Sequence, residues 1–312
     1  MKLFRTEISP DALFPDKINW QNQFISLGSC FADKVAQYFD KKGLNILSNP
    51  SGVLYNPQSI ADLLQNSLKN KQWNPPDLLI HKDQSFLPFI QGSPENPLEF
   101  IQKVQDQTRG KLQSSSVLFI TFGSAVVYQL KSNDHVVANC HKLPKELFHR
   151  KMLDTDEIIH SWSQLVKNLQ NLNPQLKIVF TVSPIRHLRD NYRENQVSKS
   201  TLHLAIEKII KQHENCFYFP SYEIMMDDLR DYRFYEEDMT HPNKVATEYI
   251  LQKFIESAFD PASLKYFLEA EKITKMIKHR LLDQDSLESL KFIESRQKKI
   301  EAFQVKYPSS LI

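Results

Sequence analysis

Phe24-Ile25-Ser26-Leu27-Gly28-Ser29-Cys30-Phe31-Ala32 decides how this chain is read. An apolar, β-prone run, Phe24 to Leu27, stops at a Gly-Ser pair, and an amphipathic helical pattern begins near Phe31. A serine on such a strand-to-helix turn is lifted clear of a sheet. Free amides at the helix start are then placed to stabilise a developing oxyanion. Ser29 is therefore a candidate nucleophile, and its plain alternative is a helix cap. Cys30 competes with it, because a helix start favours a thiolate, although buried structural cysteine is the commoner role.

Outward from that turn, β-rich runs recur at 44–47, 117–122, 177–182 and 216–219. Helical patterns at 33–42, 57–68, 98–112, 156–169, 197–213 and 243–259 fill most of the gaps. Strands alternating with helices imply parallel pairing, right-handed crossovers and a three-layer α/β sandwich. Ligands bind such sheets at the carboxyl ends of the strands. Gly28-Ser29, Gly123-Ser124 and Ser183-Pro184 each follow a strand, so the three turns are expected on one rim.

Two stretches interrupt the alternation. Residues 126–150 read as a β-hairpin insertion around Ser132-Asn133-Asp134. Beyond a main domain of residues 1–260, the segment 261–312 repeats apolar residues at helical spacing: Tyr266, Ala270, Ile273, Ile277 and Leu281, then Leu287, Leu290, Ile293 and Ile300. These predict a C-terminal helical hairpin, packed on the main domain or on a second copy in a homo-oligomer.

The 312 residues hold enough material for a full-sized core, and 39 Lys and Arg against 37 Asp and Glu leave a formal charge of +2. That balance argues against a nucleic-acid or anionic-membrane surface and leaves small molecules as the default partner. Met1 to Glu7 lacks a signal-peptide pattern and no segment approaches a membrane span, so cytoplasm is the expected location. Three cysteines without metal-type spacing predict neither a disulfide framework nor a zinc site. Only six glycines occur, and Gly28, Gly52 and Gly123 fall in candidate active-site turns. Near the far end, Asp238-Met239-Thr240-His241 offers an acid and a base from one short loop. His241 would take the nucleophile's proton while Asp238 holds the imidazole tautomer.

Gly28-Ser29-Cys30-Phe31-Ala32 is also the motif that names the GSCFA family, within the SGNH/GDSL hydrolase superfamily. The resemblance extends through Asn49-Pro50-Ser51-Gly52, Thr121-Phe122-Gly123-Ser124, Asn139-Cys140-His141-Lys142, Ser183-Pro184-Ile185-Arg186-His187, Ser198-Lys199-Ser200 and the segment Asp231 to His241. It implies an SGNH-hydrolase-like sandwich of flavodoxin-like topology. It further implies a triad of Ser29, Asp238 and His241, with the amides of Ser29 and Gly52 as oxyanion donors. The superfamily's third block usually has asparagine after Gly-x, where this chain has Gly123-Ser124-Ala125-Val126, so Ser124 or Asn139 would have to replace that donor. His141, Lys142, Arg186 and His187 are the candidate substrate-binding residues. Arg186 could hold a carboxylate or phosphate, or pair with Asp190, Glu194 or Asp231.

The expected activity is an ester hydrolase that removes acetyl or another short acyl group from a carbohydrate or small metabolite through an acyl-serine intermediate. Such a mechanism requires no metal or organic cofactor. A non-catalytic ligand-binding module on the same scaffold is the alternative, while a dinucleotide site is disfavoured because Gly28-Ser29-Cys30-Phe31 lacks the glycine spacing.

Overall fold

The computed structural model describes residues 6–81, 84–86, 95–138, 140, 143–187, 191–279 and 286–312. The chain opens with β1 (Gln23–Gly28), α1 (Cys30–Lys41), β2 (Asn45–Ser48) and α2 (Pro57–Lys69). A short antiparallel pair, β3 (Leu79–His81) and β4 (Gln84–Phe86), precedes α3 (Pro97–Ser114) and β5 (Val117–Phe122). Then come β6 (Val126–Leu130), β7 (Val136–Val137) and β8 (Phe148–Met152). The α/β rhythm resumes with α4 (Thr155–Leu172), β9 (Lys177–Val182), α5 (Tyr192–Gln212) and β10 (Cys216–Tyr218). A short turn, α6 (Ser221–Glu223), leads through a π-helical turn to α7 (Lys244–Ala258), α8 (Pro261–Ile277) and α9 (Leu287–Lys306).

The central sheet is parallel throughout and runs β10-β9-β5-β1-β2. Counted along the chain this is the order 2-1-3-4-5, the flavodoxin-like arrangement, with its switch point between β1 and β5. The continuous apolar run Val117 to Phe122 fits β5 because a central parallel strand is covered on both faces. Leu118, Ile120 and Phe122 point into one core with α2, α3, α4 and α5, whereas Val117 and Phe119 point into another with α1, α7 and α8. Trp162 of α4 is fully buried against Phe122 and Phe180, its indole N–H donating to the Pro57 carbonyl at 3.2 Å.

Some details differ from the sequence reading. α5 starts five residues before position 197, because Asn191 caps it by accepting from the Glu194 amide, and its polar first turn carries no apolar periodicity. The insertion is a three-stranded sheet in the order β7-β6-β8, since Phe148–Met152 pairs back along β6. β3 and β4 went unread, being too short to show alternation. Residues 261–312 pack on the main domain: Tyr266 stacks on Trp20 at 4.2 Å, and Phe267, Ile273 and Phe303 join the core that holds α1 and α7. No described helix is long and apolar enough to cross a membrane.

Candidate active site

The turn between β1 and α1 can be built only with glycine at position 28. Its φ is +133°, and a Cβ there would lie 2.1 Å from the Thr121 carbonyl oxygen of β5. The Gly28 amide donates to Asn49 Oδ1 at 2.9 Å, and Asn49 Nδ2 donates to Asp33 Oδ1 at 2.9 Å. The second block is thereby fastened to both β1 and α1. Gly123, directly after β5, is also tightly packed: a Cβ on it would lie 3.0 Å from the Tyr55 carbonyl oxygen, 3.2 Å from Ser29 Cβ and 3.4 Å from His187 Nε2.

Ser29 itself is fully buried and is the N-cap of α1, its Oγ accepting from the Phe31 amide at 3.3 Å. The residue that faces the base is Cys30. His241 Nε2 lies 3.8 Å from Cys30 Sγ, and His241 Nδ1 lies 2.5 Å from Asp238 Oδ2. With its proton on Nδ1 donated to Asp238, the imidazole presents a lone pair to the thiol. Asp238 and His241 thus come together as expected, but against the neighbour of the expected nucleophile. One position along a helix rotates a side chain by about 100°, which is enough to exchange cap for cleft.

The loop that carries acid and base is internally knotted. Asp238 Oδ1 accepts from the amides of Thr240 and His241, both at 2.9 Å, Met239 takes a φ of +57°, and the Glu236 amide donates to the His241 carbonyl at 2.8 Å. The Arg186 amide donates to the Thr240 carbonyl at 3.3 Å, tying the loop to the turn after β9. Hydrogen bonds from the His241 backbone, ahead of those from Thr240 and the imidazole, hold the Asp238 carboxyl far below the usual carboxylate range. Burial pushes the Cys30 thiol above its ordinary value. Its own amide opposes that rise, Asp33 adds to it, and the charges of Lys34 and Lys199 oppose it. The cleft at this point has a volume of about 190 Å³ and is lined by Cys30, Lys34, Ile185, Glu236, His241 and Thr247.

The expected oxyanion donors have other partners. The Ser29 amide donates to the Thr121 carbonyl at 3.1 Å, continuing the pairing of β1 with β5, and the Gly52 amide donates to the Asn49 carbonyl at 2.8 Å, closing its own turn. Ser124 Oγ lies 3.2 Å from Ser198 Oγ and accepts from the Val126 amide at 3.0 Å, so it buttresses the start of β6. Asn139, His141, Lys142 and Asp190 lie outside the described residues. Arg186 sits over the Tyr192 ring at 5.7 Å, while Glu194 pairs with Arg150 and Asp231 with Arg233. His187 packs beside Gly123, edge-on to Tyr55 and with its amide donating to Asn195 Oδ1 at 2.9 Å.

Lys199 received no role from the sequence. It lies on the buried face of α5 among Asn195, Ser198, Leu202, Ala205, Ile206 and Ile209, and a lysine in that register was the available signal.

Among solved structures, the chain is similar to a family 3 carbohydrate esterase from Talaromyces cellulolyticus, at 10% identity and a TM-score of 0.38, covering 80% of this chain and 99% of that one. It is also similar to a family 2 carbohydrate esterase with a carbohydrate-binding domain from Corynascus thermopiles, at 11% identity and a TM-score of 0.42, covering 81% and 69%. A third is the periplasmic domain of a lipopolysaccharide acetyltransferase from Salmonella ser. Paratyphi A, at 11% identity and a TM-score of 0.36, covering 78% and 85%. No curated protein matches the chain. The family model described as GSCFA matches residues 23–254, from the first strand of the sheet into α7 and across every site segment described above, and the chain belongs to the GSCFA family.

Proposed function

We propose that this protein is an ester-cleaving acyl hydrolase with Cys30 as nucleophile, His241 as general base and Asp238 as the acid that orients it. The observation that carries this reading is the chain Asp238 Oδ2, His241 Nδ1, His241 Nε2, Cys30 Sγ, with separations of 2.5 and 3.8 Å across the imidazole. Because burial disfavours the free thiolate, the proton leaves as the bond forms: Sγ attacks the ester carbonyl and Nε2 takes the thiol proton. The imidazolium, stabilised by Asp238, returns that proton to the departing alkoxide, leaving a thioester on Cys30. Water, deprotonated by the same imidazole, attacks the thioester carbonyl; the C–S bond breaks, the acid is released and the imidazolium returns its proton to Cys30 Sγ. The N-terminal end of α1 supplies partial positive charge where negative charge develops.

A cleft of about 190 Å³ falls below the roughly 300–1,000 Å³ of pockets for drug-sized ligands. It suits acetyl or another short acyl group, carried by a carbohydrate or small metabolite that remains outside. The test is intact-mass analysis after exposure to an activated acetyl ester, on wild type, Cys30→Ala, Ser29→Ala and His241→Ala. The expected result is one hydroxylamine-sensitive acetyl adduct that persists in Ser29→Ala and disappears in Cys30→Ala. His241→Ala should slow its formation by about 10²- to 10⁴-fold. An adduct lost with Ser29 and kept without Cys30 would move the nucleophile back to the serine, and absence of any adduct on folded protein would favour a binding module.

A further inference from the structure

Lys199 is 1% exposed, and its ammonium donates to the Gly123 carbonyl and to the Ser183 carbonyl, both at 2.8 Å. Those two carbonyls follow directly on β5 and β9; Ile185, two residues beyond Ser183, lines the cleft, and Gly123 packs against Ser29. Carbonyl oxygens at the carboxyl edge of a sheet turn negative ends toward the place where thiolate and oxyanion would form. A buried ammonium across both reverses the local sign. We propose that Lys199 is a positioning residue for Cys30: it fastens the ends of β5 and β9 together beside the turn that carries Ser29 and Cys30, and adds a buried positive charge there.

This inference rests on Cys30 being the reactive group. The groups facing the sulfur are Asp33 and Lys34 on its own helix, Glu236, Asp238 and His241 on the loop before α7, and Lys199 on α5. Those around the ammonium are Cys30, His203 and the Tyr222 ring, 5.6 Å away. Desolvation brings Lys199 down to about 7, partly restored by Cys30, so its cation is most fully present on the acid side of neutrality.

The experiment is the pH dependence of iodoacetamide alkylation, resolved by peptide mass analysis, in wild type, Lys199→Gln and Lys199→Met. Glutamine keeps amide donors for the two carbonyls without the charge, and methionine keeps neither. At pH 6.5 Cys30 should react measurably more slowly in both variants, because losing the cation removes a charge that opposes the rise of the thiol. The gap should narrow toward pH 9, and Cys140, half-buried in the insertion, should be unaffected. A folded Lys199→Gln protein whose Cys30 reacts like wild type at pH 6.5 would overturn the inference, as would equal slowing of Cys140. Should neither variant fold, His241→Ala protein decides: a log rate rising with less than unit slope near neutrality supports the lysine, and an unbroken unit slope refutes it. No substrate is needed, so ester turnover surviving in Cys30→Ala would defeat the nucleophile assignment separately.

Discussion

Ser29 and Cys30 are adjacent, and most of the chemistry turns on which of them belongs to the helix. The strand, the turn and the helix start were all legible in the sequence, as was the need for glycine at 28. The side-chain directions were not, because they depend on a helix boundary placed to a single residue, finer than local propensity encodes. Capping by Ser29 turns its hydroxyl inward, and Cys30, the first helical residue, faces His241. Alkylation of wild-type Cys30 is expected to be slower at pH 7 than that of an unstructured thiol and to keep rising above pH 9, since burial raises the thiol and leaves less thiolate at any lower pH. Gly28→Ala combines a positive φ with a Cβ 2.1 Å from a backbone oxygen. It is expected to lose more than about 3 kcal/mol in urea titration, or to fail to fold.

At the scale of elements, the loop before α7 was the most legible part of the site, because Asp-x-x-His lets one carboxylate reach two amides and the ring of the same short segment. Asp238→Asn should lower kcat by up to about 10⁴-fold, as the equivalent exchange does in serine-protease triads. It should shift the melting temperature little, because both side chains are nearly half exposed. Asn49 fastens the second block to β1 and α1 by two side-chain bonds. Asn49→Ala is expected to destabilise by roughly 2–3 kcal/mol in denaturant titration, one buried amide being left unpaired. The oxyanion roles of Gly52 and Ser124 were read from residue type and family position. Neither reveals that the Gly52 amide is used in closing its own turn, or that the Ser124 hydroxyl is engaged by the Val126 amide and Ser198.

For the molecule as a whole, strand and helix alternation gave the parallel sheet and the shared rim, since few topologies satisfy right-handed crossovers. What alternation could not give was the partner of the C-terminal hairpin, because an amphipathic helix records that a face is covered and not by what. Here Tyr266, Phe267 and Phe303 cover the layer of α1 and α7, each worth roughly 2–3 kcal/mol when buried. A chain ended at residue 260 is therefore expected to lose cooperative unfolding and its near-ultraviolet dichroism, their sum being a large part of a typical 5–15 kcal/mol domain stability. Cys30 rides on α1, and the loop of His241 feeds α7 in the same layer, where Tyr38 hydroxyl donates to Gln252 at 2.9 Å. Packed layers yield most readily by sliding past one another. Such slip across the sheet would carry thiol and imidazole in company, leaving their separation unchanged while the opposite helices breathe.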